Sequence, residues 1–113
     1  MVQAVLQVAE LPALPNDASA SFHARWLPQA RAALTGVDGE DRALLIVLPE
    51  ADHTHGEWRL AVTRMLAREA APARVNIVAC DTPAKLQMMA DFLAAAPGVT
   101  GQYLPANMQL ARP

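Results

Sequence analysis

"ALLIVLP", residues 43–49, runs seven positions without a charge. A strand with one wet face alternates apolar and polar side chains, so continuous apolarity over so short a run reads as a strand buried on both faces. Two further runs share its length and its branched aliphatic content: "VQAVLQV" (2–8) and "RVNIVAC" (74–80). Three such runs separated by helical segments predict a mostly parallel sheet in an α/β layer fold.

The segments between them have helical spacing. "SASFHARWLPQARAAL" (19–34) places Phe22, Trp26, Ala30 and Ala33 at three- and four-residue intervals, with Asp17 or Ser19 as a start signal. Pro28 interrupts it, because proline removes a hydrogen bond and kinks a helix. "HGEWRLAVTRMLAREAA" (55–71) carries the stripe Trp58, Ala61, Val62, Met65 and Leu66, and Pro72 ends it. "TPAKLQMMADFLAAA" (82–96) opens on Thr82 as cap with Pro83 at the first helical position, and buries Leu86, Met89, Ala90 and Leu93. Met88 and Met89 read as core filler. A last extended piece, "TGQYLPA" (100–106), closes the order β-α-β-α-β-α-β.

The expected fold is therefore a small α/β domain, about four mostly parallel strands with three main helices. Right-handed crossovers place the first three strands side by side in chain order. So small a sheet is expected to leave one face thinly covered and an edge strand in need of a partner. One domain spans residues 1–107, with a loose tail at 108–113. "GVDGEDR" and "EAAPA" serve as connecting turns.

Composition narrows the function classes. With 113 residues, 53% hydrophobic and 18% charged, the chain suits one globular core and not two. A net charge of -2 and 4% aromatic residues supply neither a basic stripe nor base-stacking platforms, so no nucleic-acid partner is expected. One cysteine, Cys80, precludes an internal disulfide and a zinc ribbon. No basic region precedes the amino-terminal apolar run, and no apolar run has the length of a membrane span. A cytoplasmic protein without a membrane partner is expected.

Two longer stretches resemble a known family. "AVTRMLAREAAPARVNIVACDTP" (61–83) is similar to the late part of the short-chain dehydrogenases/reductases, where a helix ending in "LTRSLAxE" runs into an "RVNxxxPG" strand. "FLAAAPGVTGQYLPAN" (92–107) resembles that family's "FLxSxxxxxxTGQxLxVDGG" ending. The match is good over 58–107. Over 1–57 it is weaker, with "FHARWLPQARAAL" only similar to the family's fourth helix. The resemblance implies a truncated carboxyl-terminal half of a Rossmann domain. It also implies a dinucleotide and a Tyr-x-x-x-Lys pair, and here the chain departs from the pattern. No G-x-x-x-G-x-G turn occurs. Counting back from Thr63 and Arg64 puts Asp52 at the tyrosine position and Gly56 at the lysine position. The catalytic serine has no clear counterpart. "PG" becomes Cys80 and Asp81, and "DGG" becomes "NMQ". Hydride transfer needs a bound nicotinamide and a proton relay, so no nicotinamide cofactor is expected and the chain reads as a pseudoenzyme.

"LPEADHTHGE" (48–57) is the stretch richest in potential chemistry. Glu50, Asp52, His53 and His55 follow a buried strand at its carboxyl end, where ligands of open α/β sheets sit. Cys80 and Asp81 end the neighbouring strand, so the two groups are placed to converge as metal or small-molecule ligands. Against this, His53 and His55 are two apart and would diverge on an extended chain. The simpler reading is a polar loop in which Thr54 or His55 caps the next helix, with Cys80 a buried small hydrophobe. Arg59, Arg64 and Arg68 read as a solvated helix face, and His23 has no assigned role. Thr82 explains itself as a cap. Leu60, Ala67 and Ala71 lie outside the main stripe of their helix and, with Arg64 among them, form a candidate interface. The expectation is a non-catalytic scaffold that acts by association, as a homodimer or on a protein partner. The alternative is a small-molecule or metal-binding protein using the 50–55 loop with Cys80 and Asp81.

Overall fold

The computed structural model describes residues 2–35 and 42–105. The expected turn "GVDGEDR" lies almost wholly outside them, and the expected tail at 108–113 entirely so. Four strands form one parallel sheet in the order β1-β2-β3-β4: β1 (Val2–Gln7), β2 (Arg42–Leu48), β3 (Arg74–Ala79) and β4 (Tyr103–Leu104). Strand order thus follows chain order, with the first three strands side by side as expected. The run that decides the fold behaves as read, with every residue from Ala43 to Leu48 buried.

Period-two alternation deals these side chains to two cores. Leu6, Ile46, Ile77 and Tyr103 are Cα partners across the sheet and pack into one core. Val47, Val78 and Leu104, one position on, pack into the other. The first core takes Phe22, Leu27 and Ala30 from the first helical rod and Val62 and Leu66 from α3 (Gly56–Ala70). The second takes Met89 and Leu93 from α4 (Pro83–Ala94). With a single helix on that face, Val5 of β1 stays 51% exposed, as a four-strand sheet foretold.

The first rod begins earlier than expected. It consists of α1 (Pro15–Ser21), a π-helical turn (Phe22–Trp26) and α2 (Leu27–Leu34). Neither Asp17 nor Ser19 is its cap: Leu14 is, Pro15 occupies the first turn, and Asp17 adds negative charge at the positive end of the helix. Pro28 does not break the rod. The Leu27 N–H reaches back to the Phe22 carbonyl, and this wider turn absorbs the hydrogen bond proline cannot make.

Polar side chains set the other joints. Thr82 caps α4 by accepting from the Lys85 N–H at 3.3 Å, with Pro83 at its first turn. The far end of α4 has no cation of its own, and Arg74 of β3 supplies one, its Nη1 donating to the carbonyls of Leu93 and Ala96 at 3.0 and 2.9 Å. Asn76 holds the approach to β4, donating to the Val99 carbonyl at 3.0 Å and accepting from the Gln102 N–H at 3.0 Å. Because side chains hold residues 99–102, β4 shrinks to two residues where seven extended ones were expected. Met88 is a correction: it is 52% exposed rather than core, while Met89 is buried.

Candidate functional site

The connection from β2 to α3 contains Glu50, Asp52, His53 and His55. Its geometry follows from Asp52, whose Oδ1 accepts from the Thr54 N–H at 2.9 Å and from the Thr54 hydroxyl. Asp52 is thus the cap, of a short 3-10 turn at His53–His55, and neither Thr54 nor His55 supplies a side-chain cap to α3. The hydroxyl bond and then the amide bond hold the Asp52 carboxyl below the usual carboxylate range.

The two histidines separate as expected, although on a 3-10 turn rather than on an extended chain. His53 is exposed, whereas His55 is 4% exposed. The His55 Nε2 lies 3.0 Å from the Ala13 carbonyl, and its Nδ1 lies 3.2 Å from the Trp58 indole nitrogen. A carbonyl only accepts and an indole N–H only donates, so these partners assign the neutral ring with its proton on Nε2. Both nitrogens are engaged in joining the loop after β1 to α3.

The carboxyl ends of β2 and β3 do meet. The Glu50 N–H donates to Asp81 Oδ1 at 3.2 Å. Cys80 sits beside them, buried, its N–H continuing the ladder to the Leu48 carbonyl at 3.1 Å. Burial pushes its thiol up, and the carboxylates of Asp81 and Glu50 push it further, which is the reverse of nucleophile activation. Among the described residues, no group of three or more His, Cys, Asp and Glu side chains is gathered closely enough to hold a metal ion.

Arg59 overturns the expected solvated helix face. It is 1% exposed, and its Nη1 donates to the Pro49 carbonyl at 2.9 Å and to the Tyr103 hydroxyl at 3.1 Å. Its guanidinium carbon lies 5.4 Å from the Trp58 ring centroid and 5.7 Å from that of Tyr103. The Nε has no hydrogen-bond partner among the described residues. Arg59 forms part of the wall of a cavity of ≈ 240 Å³ with Leu11, Pro12, Pro49, Glu50, Asp52 and His55. Sequence reasoning missed it because arginine counts as polar in any periodicity. The signal was present, since His55, Arg59, Val62 and Leu66 follow one another at helical intervals on one face, whereas Ala61 of the expected stripe is exposed.

The proposed interface residues on α3 divide. Ala67 is half-buried against the first core, beside Gly101. Leu60 is half-buried and lines a second cavity of ≈ 430 Å³ with His53, Tyr103 and Pro105. Arg64 and Ala71 are exposed, as is Arg68. No helix among the described residues is long and apolar enough to cross a membrane.

A family model described as "Short chain dehydrogenase-like protein" matches residues 6–106. It therefore reaches into the first half of the chain, where the motifs are weakest. No curated protein and no solved structure matches the chain.

Proposed function

The chain belongs to the short-chain dehydrogenase-like family, and from that premise we propose that it is a non-catalytic member acting by association, pairing with a second copy through the open edge of β1. The observation that carries the reading is the state of that edge. Among the described residues β1 pairs with β2 alone, and its sequence "VQAVLQ" has no charge or proline to guard the other side. The Val8 N–H bonds the Val47 carbonyl at 2.8 Å, which sets the phase of the ladder. Backbone groups alternate sides along a strand, so Gln3, Val5 and Gln7 direct theirs to the open edge. Two such edges meeting antiparallel about a two-fold axis make a closed, isologous pair.

The absence of catalysis is supported by the residues at the two positions that matter. Asp52, in the tyrosine's place, is an acceptor already engaged by Thr54. Gly56, in the lysine's place, has no side chain, and nothing beyond its chain neighbours and its own helix backbone lies within 4 Å of where its Cβ would be. Neither relays a proton to a carbonyl. Nor do these residues fit the family's dinucleotide, which needs that cation and a glycine-rich turn that the chain does not contain.

Native mass spectrometry across a range of concentrations tests the reading, with Val5→Lys and Val5→Pro as variants. The wild type should be a dimer and both variants monomers with unchanged circular dichroism, since Val5 takes no part in the bonds to β2. A monomeric wild type would overturn the proposal. Dissociation by Arg64→Glu and Ala71→Glu instead would move the interface to α3. The second reading, a small-molecule or metal site at the 50–55 loop with Cys80 and Asp81, is favoured by the Glu50–Asp81 bond that joins the two strand ends.

A further inference from the structure

We propose that the cavity beside Arg59 binds a small zwitterion of the α-amino acid type, its carboxylate on Nη2 of the guanidinium and its ammonium on Glu50 and Asp52. The proposal names a ligand class for the 50–55 loop of the second reading, and it is independent of pairing through β1.

Three observations converge. The first is the arginine itself. A guanidinium cannot shed its charge as a buried lysine can, and burial therefore calls for an anionic partner. At 1% exposure Arg59 has none: among the described residues the only ion pair is Arg31 with Glu69. The second is which donors are used. Both hydrogen bonds leave from Nη1, to Pro49 and Tyr103. Among the described residues Nε has no partner and is closed off from solvent, so it offers nothing to a ligand, and Nη2 makes no hydrogen bond. Nη2 is therefore the nitrogen left to donate to a carboxylate oxygen, in a bond strengthened by both charges. The third is the wall. Leu11, Pro12 and Pro49 offer apolar surface in a cavity of ≈ 240 Å³, the scale of a small organic molecule.

The same wall decides between anions. Glu50 and Asp52 line the cavity with Arg59. A phosphate dianion there would face two carboxylates, and like charges at close range cost binding energy. A ligand carrying one carboxylate and one ammonium turns that repulsion into attraction. His55 contributes no free donor, because its protonated Nε2 is held by Ala13.

The test uses the intact chain and follows the Arg59 side-chain Nε–H resonance by nitrogen-15 NMR. The probes are L-leucine, leucinamide (which lacks the carboxylate), 4-methylpentanoate (which lacks the ammonium) and inorganic phosphate. L-leucine should shift the resonance saturably, leucinamide should leave it unmoved, and phosphate should bind at least tenfold more weakly than L-leucine. Because Glu50 is exposed, Glu50→Gln should fold normally; it should weaken L-leucine several-fold while strengthening 4-methylpentanoate. Three results would overturn the proposal: no saturable shift with any probe, phosphate binding tighter than L-leucine, or a shift on Glu50→Gln without ligand, which would make Glu50 the arginine's own partner.

Discussion

The indole N–H of Trp58 donates to Nδ1 of His55 across 3.2 Å, and this bond fixes which histidine of the loop is structural. With Nδ1 accepting, Nε2 carries the proton and holds the Ala13 carbonyl. Removing the ring leaves a half-buried indole N–H and a carbonyl without partners. His55→Ala should therefore cost about 1–3 kcal/mol, the range for stranding buried polar groups. His53→Ala, on the exposed side of the same turn, should stay within about 0.5 kcal/mol. Urea titrations of the two variants decide this, and equal losses would contradict the assignment.

Acid should weaken the fold through two exposed carboxylates. Thr54 holds Asp52 below the usual carboxylate range, and Arg31, by hydrogen bonds foremost, does the same to Glu69. A carboxyl with a lowered folded pKa binds protons more readily in the unfolded chain. Its contribution is present above the unfolded value and disappears as pH falls through the folded one. Stability should thus decline below roughly pH 4–5, the ordinary carboxylate range. Asp52→Asn and Glu69→Gln should each flatten that decline. The Glu69 part should also shrink in high salt, since the Arg31–Glu69 pair is exposed to solvent.

Cys80 should be slow toward alkylating reagents at neutral pH. Burial first, then Asp81 and Glu50, push its thiol up, so little thiolate is available. Asp81→Asn removes one of those carboxylates and should raise the iodoacetamide rate near pH 8. The linked stability runs opposite to that of the acids. A raised folded pKa favours the native state below the unfolded value, and the benefit is lost as pH rises through the folded one. A rate in the variant equal to that of the wild type would show that burial alone governs the thiol.

The sheet was readable because its signal is local. Six successive buried residues from Ala43 to Leu48 need no knowledge of what covers them. The helix faces were less so. The buried side of α3 runs through Arg59, Val62, Thr63 and Leu66, a regular stripe in mixed chemistry. Arg59 is buried because Pro49 and Tyr103, 10 and 44 residues away in the chain, bring it an acceptor carbonyl and hydroxyl. Thr63 is satisfied by donating to the Arg59 carbonyl at 2.6 Å. Pro28 was legible as a disturbance but not as a π-helical turn, since the remedy lies in which carbonyl the Leu27 N–H finds. The loop at 50–55 was recognisable as polar and capped. Which residue capped it depended on the rotation of Asp52 toward Thr54.

Gly101 gives the sharpest separation of backbone from packing effects. It is buried at φ 74, a conformation L side chains rarely adopt, and its N–H donates to the Val75 carbonyl at 2.7 Å. A Cβ there would meet the Ala67 Cβ at 3.5 Å, an ordinary contact. Gly101→Ala should therefore lose about 1–2 kcal/mol from the backbone alone. Ala67→Gly should lose about 1 kcal/mol from helix propensity. If no steric conflict exists, the double variant should lose the sum, with coupling inside the few tenths of a kcal/mol expected of independent effects. A rescue of Gly101→Ala by Ala67→Gly would instead show that α3 and the approach to β4 are packed too tightly for a methyl group. The same result bears on the interface test, because Ala67 already supports β4. Charged residues at Ala67 should unfold the chain before they split an assembly, which is why Arg64 on α3 and Ala71 just after it are the positions to substitute.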